Sequence, residues 1–242
     1  MSSSPAGAPE PVTGDVLLVD DHELVGASLA EALCQGGERA RFRPAHSVSD
    51  LYTAVQGAEP GLLVLDLDLG TDEHGRRIET IPVIPTLRSC GWRVLVLSGS
   101  SNPLRIGAAL HHGGFTWVSK SAPMATLLVA IREARAGRSL LPQARREELV
   151  HRYLEWDRRQ RAVRAKLATL TRREREVLDL LASGMRVQAI AEHFVVSLPT
   201  VRTQVRAVLA KLEVGAQLEA VALVRSVDAG EEAPGVPGRR VR

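Results

Sequence analysis

The sequence predicts an α/β domain followed by a smaller all-α domain. Three observations point that way. Five short apolar runs alternate with amphipathic stretches through the first half of the 242 residues. The last third shows helical patterns only. Charge is also shared unevenly: residues 1–137 carry 11 Lys/Arg against 15 Asp/Glu, and residues 138–242 carry 20 against 13. The net +3 therefore conceals an acidic first part and a basic second part, which suggests two tasks and a polyanionic partner for the second.

The elements follow in order. Met1 to Pro11 is rich in Ser, Pro, Ala and Gly and lacks the basic-then-apolar pattern of a signal peptide, so residues 1–13 read as a disordered leader. Val16-Leu17-Leu18-Val19 is the first strand, and Leu24, Leu29 and Leu33 mark a helix that Gly36-Gly37 stops. Arg39 to Arg43 reads as a weak strand and Val48 to Gln56 as a helix. Leu62 to Leu65, Val94 to Leu97 and Phe115 to Val118 are further strands, with helices near Thr80–Ser89, Leu104–His111 and Met124–Ala136. Strands that are apolar on both faces and separated by helices form a parallel sheet covered on both sides. Five such repeats fit a flavodoxin-like doubly wound domain. It is assigned to residues 14–137.

Residues 138–166 read as a helical linker, within an Arg/Glu-rich stretch from Gln143 to Ala168. Its apolar stripe at Leu149, Tyr153, Trp156, Val163 and Leu167 is interrupted at Gln160. Thr171 followed three residues later by Glu174 is a capping-box signature for a helix Thr171–Ala182. A short helix Val187–His193 follows; Ser197 is an N-cap candidate for the next, which runs to Leu212, with Pro199 in its first turn. Gln217–Val227 is the last helix, and residues 228–242 read as a disordered tail. Cys34 and Cys90 lack metal-ligand spacing and make no disulfide framework, as expected of a cytoplasmic protein. No apolar run approaches a membrane span.

In open α/β sheets ligands bind at the carboxyl ends of the strands. Those ends carry Asp20 and Asp21, Asp66 with Asp68 two further on, Ser98, and Lys120. Clustered carboxylates repel unless a hard cation joins them, and Mg2+ with phosphate oxygens is the usual partner. Lys120 supplies a point charge for a phosphoryl oxygen, Ser98 a hydroxyl donor, and Asp66 is placed as a nucleophile.

The runs VLLVDDHELV, LLVLDLDLG, VLVLSGSS and FTWVSK resemble, in order and spacing, the receiver domain of two-component response regulators. The resemblance implies that Asp20, Asp21 and Asp66 hold Mg2+, that Asp66 accepts phosphate from a histidine kinase, and that Ser98 and Lys120 read it. Trp117 matches the aromatic switch position. Gly70 stands where the family usually has proline, and TDEHGRR (Thr71–Arg77) departs from the usual short loop. Asp68 places a second acid beside the acceptor, where it would add negative charge or help water attack an aspartyl phosphate. LDLDLGT also resembles the first motif of haloacid-dehalogenase-like phosphatases, but the paired acids lie upstream, at Asp20-Asp21, not after Lys120.

The segment LTRREREVLDLLASGMRVQAIAEHFVVSLPTVRTQVRAVLAKLEV resembles the LuxR/NarL-type helix-turn-helix, assigned to residues 167–227. The resemblance implies a cytoplasmic, non-enzymatic transcription regulator that binds double-stranded DNA and dimerises when active. Arg202, Thr203 and Arg206 would face the bases; Arg186, Thr200, Gln204 and Lys211 would meet phosphates. Leu218, Val221, Ala222 and Arg225 would pair two protomers. The alternative is a phosphorylation-independent regulator whose receiver serves only dimerisation or ligand binding.

Overall fold

The computed structural model describes residues 10–230, and the side chains of 10–227. The chain divides between Tyr153 and Leu154 into two compact units. The expected leader and tail lie largely outside the described residues. Of the leader, residues 10–13 are described, and the Val12 N–H donates to the Arg135 carbonyl.

The first unit holds the strands β1 (Val16–Asp20), β2 (Ala40–Pro44), β3 (Leu62–Asp66), β6 (Arg93–Ser98) and β7 (Thr116–Ser119), ordered β2-β1-β3-β6-β7 and all parallel. This is the flavodoxin-like doubly wound order. Side chains alternate across a strand. Val16, Leu18, Val64, Leu95 and Leu97 pack with Leu29 and Leu33 of α1 (Glu23–Gln35) and Leu127 and Ile131 of α5 (Met124–Arg135). The residues between them, such as Leu17, Val19, Leu63, Leu65 and Val96, are equally buried on the opposite face. That face is covered by α2 (Val48–Gln56), α3 (Ile84–Ser89) and α4 (Pro103–His111). Burial on both faces explains why the strands read as unbroken apolar runs.

Two local differences from the sequence expectation matter. The helix expected over Thr80–Ser89 is a 3-10 turn, Ile81–Val83, followed by α3, because Pro82 and Pro85 each open a new helical start. The stretch after Asp66 is an antiparallel hairpin, β4 (Asp68–Thr71) and β5 (Arg77–Glu79). Asp72 builds its turn: one carboxylate oxygen accepts the N–H groups of His74 and Arg76, and Gly75 takes a positive φ of 70°.

The linker is one helix, α6 (Gln143–Ala168), and residues through Tyr153 pack with the first unit. Leu149, 1% exposed, joins Ile106 and Leu110 of α4, with Trp117, Leu141 and Val150 around them. The Arg146 guanidinium donates to the carbonyls of Phe115, Gly114 and Leu110. Those carbonyls follow or close α4, where a cation complements the helix dipole. Gly107 permits the close approach: a Cβ there would lie 2.1 Å from the Leu149 carbonyl oxygen.

The second unit contains α7 (Arg172–Ala182), α8 (Val187–His193), α9 (Leu198–Leu212) and α10 (Gln217–Gly230). Thr171 and Glu174 form the full capping box, and Ser197 caps α9 by accepting the Thr200 N–H. Two clusters form the core. One joins Leu167, Leu178, Val208, Leu212, Ala220 and Val224. The other joins Val177, Leu181, Ile190, Ala191, Val201 and Val221. Among the described residues, no helix is long and apolar enough to cross a membrane.

Candidate functional site

The sheet brings the sequence-predicted acids together at its carboxyl edge. Asp20 ends β1 and Asp66 ends β3, 5% and 2% exposed. Lys120 follows β7, and its ammonium donates to Asp66 Oδ2 at 2.6 Å and to an Asp20 carboxylate oxygen at 2.9 Å. Burial pushes the Asp66 carboxyl up to about 6, against the opposing pull of Lys120. Burial also disfavours the Lys120 ammonium, but its bonds to Asp66 and Asp20 outweigh that and leave its pKa raised.

One ligand atom from each of Asp20, Asp21, His22 and Asp66 lies within 4.8 Å of the others. His22 did not emerge from the sequence reading, although its place beside the Asp-Asp pair was the available signal. Its Nδ1 is 2.5 Å from Asp21 Oδ1, and that bond raises its pKa. The three carboxylates form an oxygen donor set of the kind a hard divalent cation takes.

Ser98 is fully buried, and its hydroxyl accepts the Ser100 N–H; the Lys120 backbone N–H donates to the Ser98 carbonyl at 2.9 Å, and among the described residues no hydrogen bond joins the Ser98 hydroxyl to Asp66 or Lys120. The Trp117 ring lies against the α4–α6 cluster, and among the described residues its buried Nε1 has no hydrogen-bond partner.

Asp68 departs from the expectation. Its two carboxylate oxygens are bound by the Arg105 guanidinium at 2.5 and 2.6 Å, with Arg77 at 3.3 Å. It is therefore neither a free negative charge in the pocket nor a free base for water. The same contacts occupy the carboxylate that a phosphatase reading would use as general acid/base.

In the second unit Arg202, Thr203 and Arg206 lie exposed on α9, and Arg186 and Thr200 are also exposed. Gln204 is half-buried, and its buried Oε1 has no hydrogen-bond partner among the described residues. Lys211 is also half-buried and binds Glu174 at 2.6 Å, which ties α9 to the capping box. On α10, Leu218 (79% exposed), Ala222 and Arg225 face outward, and Arg225 donates to the Ala182 carbonyl. Val221, expected beside them, is 8% exposed and packs into the core with Val177 and Ile190, because the phase of α10 turns it inward.

A doubly wound sheet with a lysine-bridged aspartate pair at its carboxyl edge, followed by a helix-turn-helix unit, defines a receiver-and-output regulator. Residues 168–224 match the family described as bacterial regulatory proteins, luxR family. The transcriptional activator protein ExaE of Pseudomonas putida is 31% identical over 89% of this chain and 96% of that protein. The DNA-binding transcriptional activator DevR/DosR of Mycobacterium tuberculosis is 30% identical over 81% and 87%. The nitrate/nitrite response regulator protein NarL of Escherichia coli K12 is 26% identical over 89% and 95%. Among solved structures, RcsB from Salmonella enterica serovar Typhimurium aligns with a TM-score of 0.47 and 22% identity over 89% of this chain and 100% of that one. The chain belongs to the NarL-type response regulators, transcription regulators that carry a luxR-family DNA-binding domain.

Proposed function

We propose that Asp66 is the phosphoryl acceptor of this regulator and that a histidine kinase supplies the phosphoryl group. The observation that carries the reading is the Lys120 ammonium bridging Asp66 and Asp20 in a buried acidic pocket. An Asp66 oxygen attacks the donor phosphorus, the bond to the donor breaks, and an acyl phosphate forms on Asp66. Lys120 holds a charge where phosphoryl oxygens arrive, and Ser98 sits at the neighbouring strand end to supply a hydroxyl. Asp20, Asp21 and Asp66 would hold Mg2+, which when bound offsets the charge of phosphate and carboxylates. Residues 14–137 act as the receiver, 138–166 as the helical connection and 167–227 as the output domain.

The output is binding to double-stranded DNA in the cytoplasm, by a homodimer when active, with no catalytic turnover of a substrate. Arg202, Thr203 and Arg206 are exposed on one helix, the arrangement that enters a major groove. Arg186 and Thr200, also exposed, would meet phosphates, and the exposed Leu218, Ala222 and Arg225 would meet a second protomer. The burial of Gln204, Lys211 and Val221 gives these three internal roles first.

The test is intact-protein mass after incubation with Mg2+ and acetyl phosphate, and with kinase where the small donor fails. A phosphoryl adduct is expected on the wild type and not on Asp66→Asn. A folded wild type that takes no phosphoryl group from either donor would overturn the reading and favour a phosphorylation-independent regulator.

A further inference from the structure

We propose that Arg105 is a positioning residue that keeps Asp68 out of the acceptor pocket and so prolongs the life of the phosphoryl group. The inference rests on Asp66 being the acceptor. A bend at Leu67 separates β3 from β4 and folds Asp68 back beside the acceptor. The connection is short as well: the Asp68 N–H donates to Asp66 Oδ1 at 3.1 Å.

Arg105 stands in the way of that arrangement. It lies on α4 with its side chain 3% exposed, an unusual place for a guanidinium. It binds both Asp68 oxygens, reaches Glu79 at 3.1 Å and donates to the Leu67 carbonyl at 3.2 Å. Asp68 and Glu79 face each other across the β4–β5 hairpin, where two acids would repel without a cation between them. Thr80 adds a second tie, its hydroxyl donating to the Asp66 carbonyl at 2.7 Å. The strand following the acceptor is thus clasped to α4, and the planar fork of arginine fits a carboxylate as lysine cannot.

Removing the clasp frees Asp68 Oδ2, two residues from the acyl phosphate, while Arg77 stays 3.3 Å from Oδ1. It could then take a proton from a water whose oxygen attacks phosphorus. The bond between phosphorus and the Asp66 oxygen breaks, the Asp66 carboxylate is regenerated and inorganic phosphate leaves. In the intact chain this route is closed, because Asp68 is already bound.

The experiment uses the full chain, phosphorylated with acetyl phosphate and Mg2+, and follows the adduct by intact mass after the donor is removed. Arg105→Met is expected to shorten adduct lifetime roughly 10- to 100-fold, the lower range of general-base effects. Arg105→Met combined with Asp68→Asn is expected to restore the wild-type lifetime. Asp68→Asn alone is expected to leave it unchanged. A wild-type lifetime in Arg105→Met, or a double variant that stays short-lived, would overturn the proposal. If Arg105→Met does not fold, Arg105→Lys must lose its adduct faster than wild type and recover when Asp68→Asn is added. A wild type without any adduct overturns the acceptor reading, and this inference with it.

Discussion

Replacing Asp66 with asparagine is expected to stabilise the metal-free protein at neutral pH and to flatten its pH profile. Burial lifts the folded-state pKa from the ordinary 3.8 of an aspartate to about 6. Below about pH 3 the carboxyl is protonated in both folded and unfolded chains, and its contribution to stability is fully present. Between those two values the folded protein holds a proton that the unfolded chain has lost, so stability falls as pH rises. Above the folded pKa the loss is complete. A shift of about two units corresponds to about 3 kcal/mol. Asparagine has no charge to desolvate, so the variant lacks this term. The gap between variant and wild-type melting temperatures should therefore widen from about pH 3 to pH 8 by roughly 6–12 °C for a chain of this size. The assay is a set of thermal melts in chelator-containing buffers, followed through Trp92 and Trp117, where titrations common to both proteins cancel. Saturating Mg2+ should narrow the gap at high pH, because it favours the ionised carboxylate. A gap that stays constant across the range would refute the reasoning.

Other predictions concern single contacts. Val195 holds a φ of 54° while 90% exposed, a left-handed conformation costly for a β-branched side chain. Val195→Asn should stabilise the second unit by about 1 kcal/mol, seen as a higher urea midpoint at unchanged slope. Thr171→Ala removes the side-chain half of the capping box and should cost about 1 kcal/mol in the same assay. Leu149→Ala should cost about 3 kcal/mol in the first unit, and amides around Arg146–Tyr153 should exchange faster with solvent. Arg202→Ala should weaken DNA binding and reduce its salt dependence by about one counterion if the side chain meets a phosphate, or relax base preference if it meets a guanine.

The five parallel strands were legible because each is buried on both faces and so appears as an unbroken apolar run. The acidic pocket was legible because topology forces strand ends together, and Asp20, Asp66 and Lys120 each end or follow a strand. The β4–β5 hairpin was not: DLGT and RIE are too short and polar to show a period, and only Asp72 and Gly75 signalled a turn. Arg105 was also hidden. An arginine in a helix ordinarily lies in solvent, and its partners Asp68 and Glu79 are distant in sequence and come together only in the folded chain. Val221 was misplaced for a different reason. Periodicity fixes the spacing of a helix face, but not which of two adjacent apolar lines turns inward.

Gly107 has a use beyond this molecule. It is constrained by what must be missing there, since the space of a methyl group is taken by the backbone of α6 at Leu149. Any larger residue at the corresponding place in a related regulator would force its connecting helix away from α4 or along another path. One letter in an aligned sequence therefore sorts relatives by whether the connecting segment can lie against the receiver in this way, before any of their structures is known.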